Sequence, residues 1–325
     1  MIWLTWRQFR TQALVAAAAV AAIAVYLVYL GHHIRDDYAG AVSCRPSDCA
    51  VARHEFGESY TGPLTLVGLL LIAVPALIGM FWGAPLITRE LEERTDRLVW
   101  NQSVTRTRWL ATKLVVLTLA AVAVAGSFSL LLTWNASRYD QFIGARFGAL
   151  SFASRNVVPL GHAAFAFVLG TVIGLVTRRT LVVMALTLVA FSVVQLVVPI
   201  VVREHLMAPA STTVPLDQDA MSRSDMFAIN DRGAVIIGYT MAGTWSLTGE
   251  AKVLHADGTP YTREQAAACD KGSQPENMAC SAAQNLHFDY TYQPADRYWP
   301  FQWLELSMYL AVTVLLAGFG FWWIR

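Results

Sequence analysis

Six apolar runs divide the chain, each long enough to cross the hydrocarbon of a bilayer as a helix, which takes about 20 residues. Thr11–Leu30, Leu64–Ile87, Leu114–Trp134, Leu181–Val202 and Leu306–Ile324 hold no charged side chain, and Val157–Val176 holds only His162. Glu305 sits at the entrance to the last run. The pattern predicts an all-α polytopic membrane protein with six spans. The tail before the first run, "MIWLTWRQFR", sets Ile2, Trp3, Trp6 and Phe9 beside Arg7 and Arg10, which predicts an N-terminal interfacial helix over residues 1–10. The first run exceeds the roughly 7–15 apolar residues of a cleaved signal, and Tyr26 and Tyr29 suit the far membrane interface.

The polar stretches between the runs complete the layout. Gly31–Pro63 reads as a polar loop, and "TRRT", Thr177–Thr180, as a tight hairpin between the fourth and fifth spans. Residues 11–202 then hold spans one to five, 203–303 a soluble domain, and 304–325 the sixth span. The 203–303 stretch carries 12 acidic and 7 basic side chains, a local charge of −5. "GAVIIGYTM", "AKVLHADGTPYT" with its Asp257-Gly258 turn, and the alternating "HFDYTYQ" read as strands. A small extracellular domain with β structure is expected there.

Composition supports the membrane reading: 55% of residues are hydrophobic and 14% charged, where soluble domains average about 25% charged. A net charge of +1 gives no reason to expect a nucleic-acid partner. With the N-terminus inside the cell, the tail, the short loops and the C-terminus on that side hold 11 Arg and Lys, against 6 in the short outer loops. That bias predicts both termini cytoplasmic. All four cysteines, Cys44, Cys49, Cys269 and Cys280, then fall outside, where disulfides persist. Four cysteines allow three pairings. The local pairs Cys44–Cys49 and Cys269–Cys280 are expected, with a cross-link between the two outer regions left open.

The densest charge lies between the second and third spans. In "TRELEERTDR", Glu90–Arg94 and Glu93–Arg97 are spaced i,i+4 with the acid first, the favourable order on a helix. Solvated flanking sequence has the same look, and charge pattern alone does not distinguish it from a docking site. "VPALIGMFWGAPLITRE", Val74–Glu90, followed by an acidic helix and by "VTRTRWLATK", Val104–Lys113, resembles the permease subunits of ABC-2 type exporters. "YQPADRYWPFQWLE", Tyr292–Glu305, resembles the segment before the last span in a branch of these permeases. The resemblance covers the six-span layout. It implies a dimer of permeases in the bacterial cytoplasmic membrane, driven by separate ATP-binding subunits that hold ATP and Mg. It also implies a coupling helix between spans two and three, here within 88–103, with Arg89, Glu90, Glu92, Glu93, Arg94 and Thr95 as ATPase-coupling residues. Arg94 stands where the family often has Gly, which implies a straighter helix.

Other motifs narrow the function. A P-loop needs a Gly-rich turn followed by Lys; none of Lys113, Lys252 and Lys271 has that context, so no ATPase, catalytic residue or cofactor is expected in this chain. No H-E-x-x-H or G-x-S-x-G occurs, and the His, Asp and Cys residues of the first loop match no standard metal spacing, so no metal is expected. Gly79-x-x-x-Gly83 and Gly170-x-x-x-Gly174 fit close helix packing within the chain. Pro75, Phe81, Trp82 and Gln195 are the candidates for a substrate path or gate. His162, near the outer end of its span, is read as a hydrogen-bonded or interfacial histidine and not as a proton relay. The spans lack an interior carboxylate, which argues against proton coupling. The expected function is export of an apolar or amphipathic substrate, such as a drug, antibiotic, lipid or peptide. Membrane lipid and a second copy of the chain are the expected neighbours. The alternative is a non-transporting sensor or assembly protein whose outer domain binds a ligand.

Overall fold

The computed structural model describes residues 2–43, 49–92, 105–143, 146–231, 233–269, 273, 280 and 284–324. Among the described residues, six helices are long and apolar enough to cross a membrane: Arg10–Gly40, His54–Arg89, Arg106–Asp140, Val158–Thr177, Thr180–His205 and Ala295–Trp323. All six expected runs are present. They form one compact unit, residues 1–143, 148–203 and 299–325; residues 144–147 and 204–298 form a second.

In the first unit, α1 (Ile2–Val42), α2 (Cys49–Ile78) and α4 (Arg106–Ile143) all outrun the apolar stretches that predicted them. Helix α1 runs without a break from Ile2 into the first span. The expected loop Gly31–Pro63 is largely helix. The reason is tertiary. Phe56 and Tyr60 are buried with Leu27, Leu30 and Ile34. Phe56 stacks on Tyr139 with centroids 6.2 Å apart, and the Tyr60 hydroxyl donates to Asp37 at 2.5 Å. These contacts keep three helices paired beyond the point where hydropathy falls.

Helix α2 changes gauge at Gly79–Gly83, a single wide turn closed by the Ala84 N–H bonding Gly79 O, and continues as α3 (Ala84–Glu92). Pro85 has no N–H to give the carbonyl four residues back, that of Phe81; the Gln12 side chain of α1 donates to it instead, at 3.4 Å. The wide turn lies against α6 (Val158–Thr177), the helix at the centre of the bundle, 72% of whose apolar window is buried against 44% or less in the other five. Small residues permit the approach. A Cβ on Gly83 would stand 2.5 Å from Phe167 O, and one on Gly170 2.4 Å from Gly79 O. The two Gly-x-x-x-Gly motifs therefore pack on each other within the chain, as expected.

Short helix α5 (Ala149–Ala153) precedes α6. Arg178, left-handed at φ 57°, closes α6, and the chain turns at once into α7 (Thr180–Val197), the tight hairpin predicted from "TRRT". Pro199 cannot donate to Gln195 O, and α7 ends in a second wide turn, Val198–Val202, closed by Arg203 N–H to Val198 O. Helix α10 (Tyr298–Trp323) completes the bundle.

The second unit holds an antiparallel sheet ordered β1-β6-β5-β3-β2, with β1 Ala210–Pro215, β2 Met226–Asn230, β3 Gly233–Ile237, β5 Glu250–Leu254 and β6 His287–Gln293; β4, Trp245–Ser246, pairs β6. Two short helices, α8 (Gln218–Ser222) and α9 (Arg263–Ala268), flank it. Phe288, Tyr290, Val253 and Ile236 fill its core with Tyr261 and Tyr239. The three predicted strands are present, and Gly258 at φ +83° makes the Asp257-Gly258 turn. Cys269 and Cys280 form a disulfide, the expected local pair. Cys44 lies outside the described residues, and with it the expected Cys44–Cys49 pair.

Replacing Gly170 by Ala drives a methyl into the Gly79 carbonyl and should cost about 1–3 kcal/mol, the usual price of overpacking. Gly318→Ala on α10, with nothing within 4 Å of the added Cβ, should leave stability unchanged. Thermal unfolding of both variants in detergent checks the contrast.

Candidate functional site

The connection between α2 and α4 is anchored at its start. Glu92, the last residue of α3, reaches the first turn of α7: its carboxylate accepts from the Thr180 backbone N–H at 2.8 Å and from the Thr180 hydroxyl at 2.9 Å. A helix start exposes unpaired N–H groups and a partial positive charge, so a carboxylate there is well placed. These two bonds from Thr180 hold the Glu92 carboxyl below the usual carboxylate range. The buried Thr88 hydroxyl lies 2.7 Å from the Thr180 hydroxyl and 2.9 Å from Ala84 O, so two hydroxyl protons serve the three contacts Thr180–Glu92, Thr88–Thr180 and Thr88–Ala84. Thr88 sits over Gly174, whose added Cβ would meet the Thr88 methyl at 3.2 Å. The wide turn at Gly79–Gly83 and this clamp together fix α3 against α6 and α7.

Of the expected coupling residues, Arg89, Glu90 and Glu92 lie on α3, with Arg89 and Glu92 exposed. The Glu90 side chain, Glu93, Arg94 and Thr95 lie outside the described residues. Thr88 and Thr180, which make the clamp, were not singled out by sequence reasoning. The threonines of "LITRE" and "TRRT" carry no signal of their own pairing.

A groove of about 580 Å³ runs between α1, α2–α3, α4 and α7. Val15, Ala19 and Ile23 of α1 face Val74, Leu77 and Phe81 across it, and Trp82 also lines it. Thr11, Gln12, Arg89 and Thr180 form one end. Two of the four path candidates, Phe81 and Trp82, are therefore together in one groove. Pro75 is buried in α2 and lines neither groove. Gln195 lies elsewhere, on a second groove of about 510 Å³ beside α7.

Gln195 belongs to a buried polar network. Its side-chain nitrogen meets His162 Nδ1 at 3.2 Å, and its oxygen accepts from the Tyr309 hydroxyl at 3.0 Å. Glu305 is fully buried and pairs with Arg203, whose Nε and Nη2 donate at 2.8 and 3.1 Å. His162 Nε2 lies 3.9 Å from the same carboxylate and has no hydrogen bond among the described residues. One turn earlier, Gln302 accepts from the Val157 and Val158 N–H groups at the start of α6, each at 3.3 Å, and donates to Phe152 O. The expectation of spans without an interior carboxylate is thus corrected. Glu305 is not a residue at a span entrance: α10 starts at Tyr298, so Glu305 lies two turns inside it, and Arg203, carried inward by the second wide turn, supplies its countercharge. The reading of His162 as hydrogen-bonded holds. Gln302, Glu305 and Tyr309, spaced i, i+3, i+7, were the legible signal of a polar stripe on one helix face.

Glu305→Gln should cost about 3–5 kcal/mol, because it strands a buried guanidinium, whereas Arg203→Met with Glu305→Leu should come close to neutral. Thermal unfolding of the purified chain separates them. The Glu92 contribution follows its lowered value: it is fully present above the ordinary carboxylate range and is lost as pH falls through that lowered value. The protection of the Thr180 amide, taken relative to its intrinsic exchange rate at each pH, should therefore fall on acidification in the natural chain, and Glu92→Gln should flatten that pH dependence.

No curated protein and no solved structure matches the chain. The family described as ABC-2 membrane transporter related matches residues 17–203, from within α1 to the arginine that pairs with Glu305, which is more than half of the chain. Permeases of this kind work with an ATP-binding partner. With six membrane-length helices packed as one bundle, the chain is a multi-pass component of a membrane transporter and belongs to the ABC-2 membrane transporter related family.

Proposed function

We propose that the chain is the membrane-spanning permease subunit of an ATP-driven exporter, paired with a second copy of itself in the cytoplasmic membrane with both termini inside the cell. ATP and Mg are held by a separate subunit, which docks on the 88–103 segment; this chain hydrolyses nothing. The observation that carries the reading is the α3 clamp. A charged helix that follows two membrane spans is joined by Glu92 and Thr88 to the first turn of a third, α7. A push on α3 reaches α2 through the wide turn and α7 through Thr180. Helix α7 passes it through the membrane to Arg203, and from there to Glu305 of α10. The drive therefore enters three helices, not only the two that flank the connection. The groove beside Phe81 and Trp82, apolar over most of its length, is the substrate path, which supports an apolar or amphipathic cargo.

The test is co-purification of the tagged chain with a co-expressed ATP-binding subunit. The natural chain should hold it in equal amount. Changing Glu90, Glu92 and Glu93 together to Lys should release it or leave its ATP hydrolysis unresponsive to the permease. If the natural chain holds no ATP-binding subunit, the exporter reading fails.

A further inference from the structure

The path groove is chemically uneven. On α1 its lining runs from Thr11 to Ile23, 12 residues or about 18 Å at 1.5 Å each, slightly more than half of the roughly 30 Å hydrocarbon core. From Val15 inward every lining side chain of α1 is aliphatic, and Val74, Leu77 and Ile78 of α2 with Val124 and Phe128 of α4 close the deep end. The polar end is basic. Arg89 lines it and is exposed, with no ion pair among the described residues. Arg10 and Arg179 adjoin the lining residues Thr11 and Thr180, and Arg178 precedes them; all three are exposed. The described acid nearby, Glu92, is held by Thr180 through both carboxylate oxygens and attracts Arg89 without an ion-pair contact to it. Val15 and Phe81 on the walls are 70% and 50% exposed, so the groove opens sideways along spanning helices and is reached from the bilayer. A basic end on a one-leaflet apolar slot complements one kind of molecule. Its charge is negative, its head sits at the interface, and its tail is a hydrocarbon chain. A neutral drug leaves the arginines unmatched, and a soluble anion leaves the slot empty.

We propose that this groove takes an anionic phospholipid-type amphipath from the adjoining leaflet, with its phosphate on Arg89 and an acyl chain between α1 and α2. Arg89 is then a binding residue for the head, and the docking of the ATP-binding subunit falls on the rest of the 88–103 segment. The inference rests on reading the groove as the substrate path and narrows the cargo to that class.

Lipid retention tests it without any ATP-binding subunit. The purified full chain is exchanged into detergent with phosphatidylglycerol or phosphatidylcholine of the same acyl chains, and bound lipid is counted by native mass spectrometry. One phosphatidylglycerol should be held in preference to phosphatidylcholine. Arg89→Gln should cut that preference roughly fivefold, the worth of one basic residue at an anionic interface. Arg89→Lys should keep most of it, and Ala19→Phe, which fills the slot, should abolish retention of both lipids. Equal retention of the two lipids, or a preference indifferent to Arg89→Gln, overturns the proposal. Such a result removes the anionic-lipid class and leaves the permease reading standing, since that reading is decided by co-purification.

Discussion

The backbone of α2 touches the backbone of α6 at Gly79, Gly83 and Gly170, and the rest of the bundle is arranged around that contact. Inside a bilayer, apolar side chains gain little by leaving lipid for protein, so helices associate through close packing and hydrogen bonds. Three glycines at one crossing supply the packing. The Thr171 hydroxyl, 3.4 Å from Gly83 O, adds a polar contact. The wide turn lies at this crossing, and α3 beyond it carries Thr88 over Gly174 and Glu92 to Thr180. The same turn leaves Phe81 O without its usual donor, because residue 85 is proline, and Gln12 brings α1 in to satisfy it. One close approach thus positions the α3 clamp and one wall of the groove.

Helix α7 is held by polar contacts at both ends and by apolar ones between. Thr180 is bonded at its start, and Arg203 is bonded just past its second wide turn. A buried ion pair is poor evidence of stability, since desolvating two charges can cost more than their attraction returns. It is better understood as a specifier. Only one rotation and one depth of α10 bring Glu305 to Arg203, Tyr309 to Gln195 and Gln302 to the α6 start together. An apolar helix of uniform surface has no such preference, and the rest of α10 is largely uniform: Leu310, Val314 and Leu315 are all exposed.

The sequence made the spans legible because an uncharged run of 19–24 residues has few alternatives to a spanning helix. It also revealed three of the strands and a cysteine pair, which depend on local alternation and spacing. The extensions of α1, α2 and α4 were hidden, because Phe56 and Tyr60 of α2 act by meeting Tyr139 of α4 and Leu27, Leu30 and Ile34 of α1, and none marks a helix alone. The α3 clamp was hidden for the same reason: Glu92 and Thr180 are 88 residues apart, and their bond depends on the turn at Gly79–Gly83. Glu305 was misplaced because hydropathy locates the apolar run, not the helix. The run starts at Leu306, while the helix starts eight residues earlier. Arg203 was likewise taken for the first residue beyond a span, when the wide turn after Pro199 keeps it inside.

The match to the family ends at Arg203, yet the residue that neutralises Arg203 lies on α10, a hundred positions later. The described residues of the second unit fold around a core of tyrosines and Phe288. A unit of that size between two helices would leave their pairing weakly specified, because the loop-closure entropy of a long connection constrains its ends only loosely. The Arg203–Glu305 pair answers that problem. It joins the last residue before the insertion to the second turn of the helix after it, inside a medium where neither charge tolerates being left alone. The ionic contact therefore belongs to the architecture of the bundle: it ties the helix that ends before the second unit to the helix that follows it.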